Sequence, residues 1–199
     1  MAKQIDSSKI ERIRTAAVAL ISEQGISNCS VAAIAQRAGV SVGYLYRHYN
    51  GKEALINDML EVALNIINEK ISGLIEAGKS IDQVISGVVR YLFDIAEQDP
   101  EKFKFLIMLF NDFSIGISRR LTDRIRTIAD DLLAIGRANG AIRPETTVED
   151  LYMAVVGLPM QYLSLRYRGI LQSPAPTGRG VDRIVRIAIG IVSENNQTK

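Results

Sequence analysis

The sequence predicts an all-α chain of about nine helices, in which an N-terminal three-helix segment with a helix-turn-helix precedes a larger helical body. Three observations predict it. Apolar residues recur at three- and four-residue spacing along almost the whole chain. No run alternates with the period of two that a half-buried strand needs. Gly, Ser, Asn and Pro fall where such helices need caps or stops. With 47% hydrophobic and 23% charged residues in 199, there is enough apolar material for a core.

Each element follows in order. Ile13, Ala16, Ala17, Leu20 and Ile21 form one apolar stripe of a first helix, and Gly25 is expected to end it in the left-handed conformation. Ser30 is placed to cap a short second helix carrying Val31, Ile34, Ala35 and Ala38, which Gly39 breaks. Ser41 is placed to cap a third, running through Leu45 to about His48. Asn50-Gly-Lys-Glu53 then reads as a cap with an acid at the third helical position, opening a long helix from Lys52 toward Gly73. Ser80 or Ile81 starts a helix that ends near Asp99-Pro100, and Pro100 suits the first position of the next, which runs to about Phe110. A further helix is expected from about Ser114 to Asn139, ended by Gly140. Thr146-Thr-Val-Glu149 resembles a capping box for its successor, which contains Pro159 and should kink there unless the lost hydrogen bond is offset. Residues 169–178 are a Pro/Gly-rich connection. The last helix carries Val181, Ile184, Val185, Ala188, Ile191 and Val192 as a seam of near-heptad spacing, followed by a polar tail.

Charge and motif content narrow the chemistry. The net charge is only +2. Residues 1–55 nevertheless hold seven Lys/Arg against four acids, a local balance of +3. One cysteine, Cys29, gives no intramolecular disulfide and reads as a small filler residue in a reducing compartment. No apolar run reaches signal-peptide or membrane-spanning length, so a cytoplasmic protein with no membrane partner is expected. The single histidine, His48, supplies no metal site with one cysteine, and neither metal nor cofactor is expected. A GxGxxG motif is lacking. Asp130-Asp131 and Glu149-Asp150 are adjacent on helices, where neighbouring side chains diverge, so they read as surface charge rather than as catalytic pairs.

The stretch from Ser30 to Tyr49 fits a helix-turn-helix mechanically. Ala35 is small where two helices must approach, Gly39 supplies a positive φ at the turn, and Val40 plugs it. Leu45 and Tyr49 lie on the inward stripe. The outer face of the second helix then carries Ser41, Val42, Gly43, Tyr44, Arg47 and His48. A recognition helix presents such N-terminal residues to base edges in the major groove.

Residues from about 9 to 60 resemble the N-terminal domain of TetR-family transcriptional regulators. The matching features are the amphipathic first helix ending at Glu-Gln-Gly25, the turn "IAQRAGVS", "LYRHY", and "KEAL" at the start of the fourth helix. The resemblance implies that Ser30, Tyr46, His48 and Lys52 hold phosphates, and that Ser41, Val42, Gly43, Tyr44 and Arg47 face the bases. The chain departs from a common pattern at Val42, where many members have lysine, and at Tyr44, where many have a small residue. Phosphate contacts set register, whereas base contacts specify sequence.

The resemblance further implies a homodimer on double-stranded operator DNA, most often a repressor, released by an effector bound in the C-terminal half. The expected division is residues 1–50 for DNA and 51–199 for effector binding and dimerisation. Within that half, Phe93, Phe103, Met108, Phe110, Asn111, Phe113, Met153, Met160 and Gln161 are candidates for a mostly apolar ligand pocket; they equally suit an ordinary core. Tyr162, Val181, Ile184, Val185, Ala188 and Ile191 are candidates for the dimer interface, or for packing within one subunit. Two other readings stay open on sequence alone. One is a helical enzyme; the other is an architectural DNA-binding protein without ligand.

Overall fold

The computed structural model describes residues 6–112, 116–171 and 178–193. Its helices are α1 (Ser7–Gln24), α2 (Val31–Ala38), α3 (Val42–His48), α4 (Lys52–Glu76), α5 (Ile81–Gln98), α6 (Pro100–Asn111), α7 (Arg119–Ala138), α8 (Val148–Tyr152), α9 (Leu158–Tyr167) and α10 (Arg179–Val192). A π-helical turn, Met153–Gly157, joins α8 to α9 without a break. Taking 148–167 as one continuous helix gives nine helices among the described residues. Among those residues no helix is long and apolar enough to cross a membrane.

The chain condenses into two compact units. Unit 1 combines Met1–Ala63 with Asp99–Ile117, and unit 2 combines Leu64–Gln98 with Ser118–Lys199. Compactness therefore divides the chain differently from a cut at residue 50. α6, late in sequence, packs on α1 in unit 1, and the Ser22 hydroxyl donates to the Glu101 carbonyl at 3.0 Å. The core of unit 1 joins the α1 stripe to Ile34, Ala35, Leu45, Leu55 and Ile56, with Phe103 and Phe105 from α6. α4 contributes its first half to unit 1 and its second half to unit 2.

Unit 2 is built around α5, whose Val84, Ile85, Val88, Val89 and Leu92 are buried. α10, α9 and the π turn pack on it. α7 packs on α8, and the segment that follows α7 folds back against it because Gly136 lacks a side chain. A Cβ there would meet Ile142 Cδ1 at 2.8 Å. Side-chain hydrogen bonds close the end of the unit. Thr146 Oγ1 donates to the Val192 carbonyl at 3.2 Å, Arg137 to the Thr146 carbonyl at 2.7 Å, and Arg143 to the Ile191 carbonyl.

Local chemistry explains where the elements differ from expectation. Gly25 has a positive φ of 81° but ψ of 163°, so the chain leaves α1 extended rather than left-handed. Lys52 is the first residue of α4, which places Glu53 in its first turn and carries the helix to Glu76. The start expected near Ser114 lies outside the described residues; α7 begins at Arg119, with Ser118 Oγ accepting from Leu121 N. The capping box before α8 is one residue later than expected. Thr147 and Asp150 form it, because the Thr146 hydroxyl is bonded to Val192 inside the unit. Pro159 does not break its helix. The π turn just before it shifts the bonding, and the Leu158 N–H reaches the Met153 carbonyl five residues back.

Candidate nucleic-acid interface

The turn between α2 and α3 is built from short-range bonds. Ser30 Oγ accepts from Ala33 N at 3.1 Å, and Ser41 Oγ accepts from Tyr44 N at 3.1 Å. Both serines thus cap helices, and each hydroxyl proton remains a donor. Gly39 adopts the left-handed conformation at φ 65°, ψ 39°, and Val40 N donates back to the Ala35 carbonyl at 3.0 Å. The Arg37 guanidinium closes a two-pronged ion pair on Glu23 at 2.7 and 2.8 Å, tying α2 to α1. That hydrogen-bonded pair holds the Glu23 carboxyl below its ordinary range.

α3 is fixed from its inner side. Leu45 is fully buried, and Tyr49, its C-cap, is nearly so. The Tyr49 hydroxyl donates to Asp58 Oδ2 at 2.9 Å. Arg14 donates to the same oxygen through Nε at 3.2 Å and Nη2 at 2.9 Å. Burial, then the hydrogen bond and charge of Asp58, push the Tyr49 hydroxyl up to about 12. α1, α3 and α4 meet at this one carboxylate. Sequence reasoning missed it, because nothing in Arg14 announces a partner 44 residues away.

The outer face is open. Val42 is 41% exposed and Tyr46 56% exposed, and Gly43 and Arg47 are exposed beside them. A Cβ on Gly43 would meet nothing within 4 Å, so the unit itself has no packing need for glycine there. Two of the expected residues also make contacts inside the unit. Lys52 Nζ donates to the Ile26 carbonyl at 2.7 Å, which engages one of its three N–H bonds inside the unit. Tyr44 is half-buried, with its hydroxyl enclosed and unpartnered. Such an orphaned group costs about 1–3 kcal/mol. The Tyr44 ring lies 4.6 Å from the His48 ring, with Lys9 Nζ and Arg47 Cζ 5.3 and 5.4 Å from its centroid.

The expected pocket residues divide between the units. Phe103 is fully buried in unit 1, and Phe110 is half-buried. Met108 and Asn111 are brought together with the turn at Gly25–Asn28 around a groove of about 620 Å³. In unit 2, Phe93 and Met160 are buried, with the Phe93 ring 5.9 Å from that of Tyr162, while Met153 and Gln161 are exposed. Phe113 lies outside the described residues. A second groove, of about 480 Å³, runs between α4 and α7 in unit 2. Among its lining residues are Arg124 and Asn68, and the buried Asn68 amide nitrogen has no partner. Sequence periodicity gave no signal for this groove, since its lining is mostly polar.

The expected dimer seam is turned inward. Val181, Ile184, Val185 and Ala188 are buried within the chain, and so offer no surface to a partner. Ile191 and Tyr162 are half-exposed. The outward faces carry Tyr152, Met153 and Ile187 instead.

Comparison with known proteins agrees with this geometry. Residues 13–59 match the family model described as bacterial regulatory proteins, tetR family. An uncharacterized HTH-type transcriptional regulator of Bacillus subtilis, YvdT, is 32% identical over 112 residues, which is 56% of each chain. The chain thus spans little more than half the length of that relative. A TetR family transcription regulator from Marinobacter aquaeolei superposes with a TM-score of 0.77 at 21% identity, covering 96% of this chain and 98% of that one. FadR of Bacillus subtilis, solved in complex with stearoyl-CoA, gives 0.72 at 17% identity over 90% and 97%. These proteins are transcriptional regulators, not enzymes. Residues 13–59, with the helix-turn-helix of α2 and α3, are thus a DNA-binding domain of the tetR family of bacterial regulatory proteins, and the whole chain has the fold of the TetR-family structures it superposes on.

Proposed function

We propose that the chain is a homodimeric, effector-responsive repressor acting in the cytoplasm. In this reading residues 1–50 bind operator DNA, and residues 51–199 take the effector and dimerise. The observation that carries it is the outer face of α3. Val42, Gly43, Tyr46 and Arg47 stand outward on a helix anchored from behind by Leu45, Tyr49 and the Arg14–Asp58 pair. Gly43 supports a close approach from outside, since nothing within the unit requires a missing side chain there. Tyr46, His48, Ser30 and Lys52 serve the phosphates in this reading, and Arg47 a base edge, with about 1–3 kcal/mol of discrimination if it pairs with guanine.

The partner of each subunit is a second copy, because a palindromic operator calls for two-fold symmetry. The outward faces of α8, the π turn and α10, with Tyr152, Met153 and Ile187, are the surface we assign to it. The effector is a small, largely hydrophobic molecule. A fatty acyl chain, the hydrophobic part of the stearoyl-CoA seen with FadR, is the first class to try, and Asn68 and Arg124 offer donors to a polar head. α4 contributes to both units, so an effector that moves its second half acts on the start of the same helix at Lys52. A coupling of about 1–3 kcal/mol would change operator affinity about 5- to 150-fold.

Binding to the DNA upstream of the chain's own gene tests the reading. The expected result is a specific footprint that weakens with salt and with effector; no footprint at modest salt sinks it. Gly43→Leu sharpens the test. It should abolish operator binding while thermal stability stays equal or rises by about 0.5–1 kcal/mol, since glycine is a poor helix former. Unchanged operator affinity in that variant would remove α3 from the interface.

A further inference from the structure

Tyr44 stands third in the exposed recognition helix, yet its hydroxyl points into unit 1 and meets no partner. A hydroxyl enclosed in that way offers nothing to a base edge. Its ring, by contrast, is occupied. His48 tilts against it at 49°, and two cations from different helices approach it. Arg47 comes from α3 itself. Lys9 comes from the first turn of α1, where it also pairs with the helix-capping carboxylate of Asp6 at 3.1 Å. An aromatic face attracts cations through its quadrupole and restricts where a long flexible side chain can go.

We propose that Tyr44 is a positioning residue of the DNA interface rather than a reader. Its ring holds the Arg47 guanidinium for a base edge and draws Lys9 of α1 in as a phosphate contact; the hydroxyl reads nothing. This rests on the DNA-binding reading above. It adds α1 to the interface, and it explains how a large aromatic sits among residues that must meet bases.

Three variants test it. Tyr44→Phe keeps the ring and removes the orphaned hydroxyl. Operator affinity and base preference should stay within about twofold, and the thermal midpoint should rise by about 2–6 °C. Tyr44→Leu keeps apolar bulk but removes the ring. Specific binding should fall about two- to tenfold, with the loss concentrated at the base Arg47 contacts. Lys9→Gln should weaken specific and non-specific DNA alike and reduce the salt slope by about 0.9. A loss of base preference in Tyr44→Phe would show that the hydroxyl reads DNA and overturn the proposal. An unchanged slope in Lys9→Gln would remove the phosphate contact. A readout without DNA separates this from failure of the parent reading. In the free protein, ring-current shifts on the Lys9 and Arg47 side-chain protons should persist in Tyr44→Phe and vanish in Tyr44→Leu. Shifts that survive the leucine change would deny the ring its holding role even where DNA binding is lost.

Discussion

At the scale of single residues, the Asp58 carboxylate bears on both stability and geometry. One oxygen accepts from the Tyr49 hydroxyl and from two nitrogens of Arg14. A hydrogen bond to a charged group contributes about 1.5–3 kcal/mol, so Tyr49→Phe should destabilise the protein by about that amount. The pH dependence has a definite sign. Burial and Asp58 raise the Tyr49 hydroxyl to about 12 when folded, above the ordinary 10. Its stabilisation is therefore complete below pH 10 and lost as pH rises through 12. Thermal melts between those limits should fall more steeply for the native chain than for Tyr49→Phe; parallel curves would deny the bond. The inward setting of Leu45 and Tyr49 was legible, because helical spacing alone separates the two faces. The inward turn of the Tyr44 hydroxyl was not. Spacing places a Cβ, but it does not say which way the ring beyond it turns; here the ring lies near Lys9 of α1 and the hydroxyl is enclosed.

At the scale of elements, caps were the most readable feature. Ser30, Ser41 and the proline at the start of α6 each stand where their chemistry requires. The error at Thr146 came from two adjacent threonines able to cap the same helix, of which a distant carbonyl, that of Val192, claims one. The α10 stripe was equally plain, but a stripe does not say whether its neighbour is the same chain or another. α5 covers it here. Two substitutions one turn apart therefore separate inside from outside. Ile184→Glu, at 2% exposure, should unfold the chain, because a carboxylate has no partner there. Ile187→Glu, at 44% exposure, should leave melting nearly unchanged yet shift sedimentation from dimer toward monomer and weaken binding to a two-half-site operator. A dimer that survives Ile187→Glu would move the interface to another face.

At the scale of the whole molecule, helical composition and element order were legible, and the assembly of units was not. A boundary near residue 50 follows from where the helix-turn-helix motif ends. The compact unit around that motif also takes Asp99–Ile117, with the fully buried Phe103 and the buried Phe105. Pairing of segments so far apart leaves no local trace in sequence. A fragment of residues 1–63 should accordingly be poorly folded, since it leaves the α1 face that meets α6 uncovered. Circular dichroism and cooperative melting check this, and a fragment melting like the full chain would contradict it. The same arrangement sets an order of events during synthesis. At roughly 5–20 residues per second, the 54 residues between Ala63 and Ile117 take roughly 3–11 s to add. For that interval the reading helix has been made but its unit is incomplete. A newborn chain still on the ribosome thus cannot complete this unit until its sixth helix has emerged.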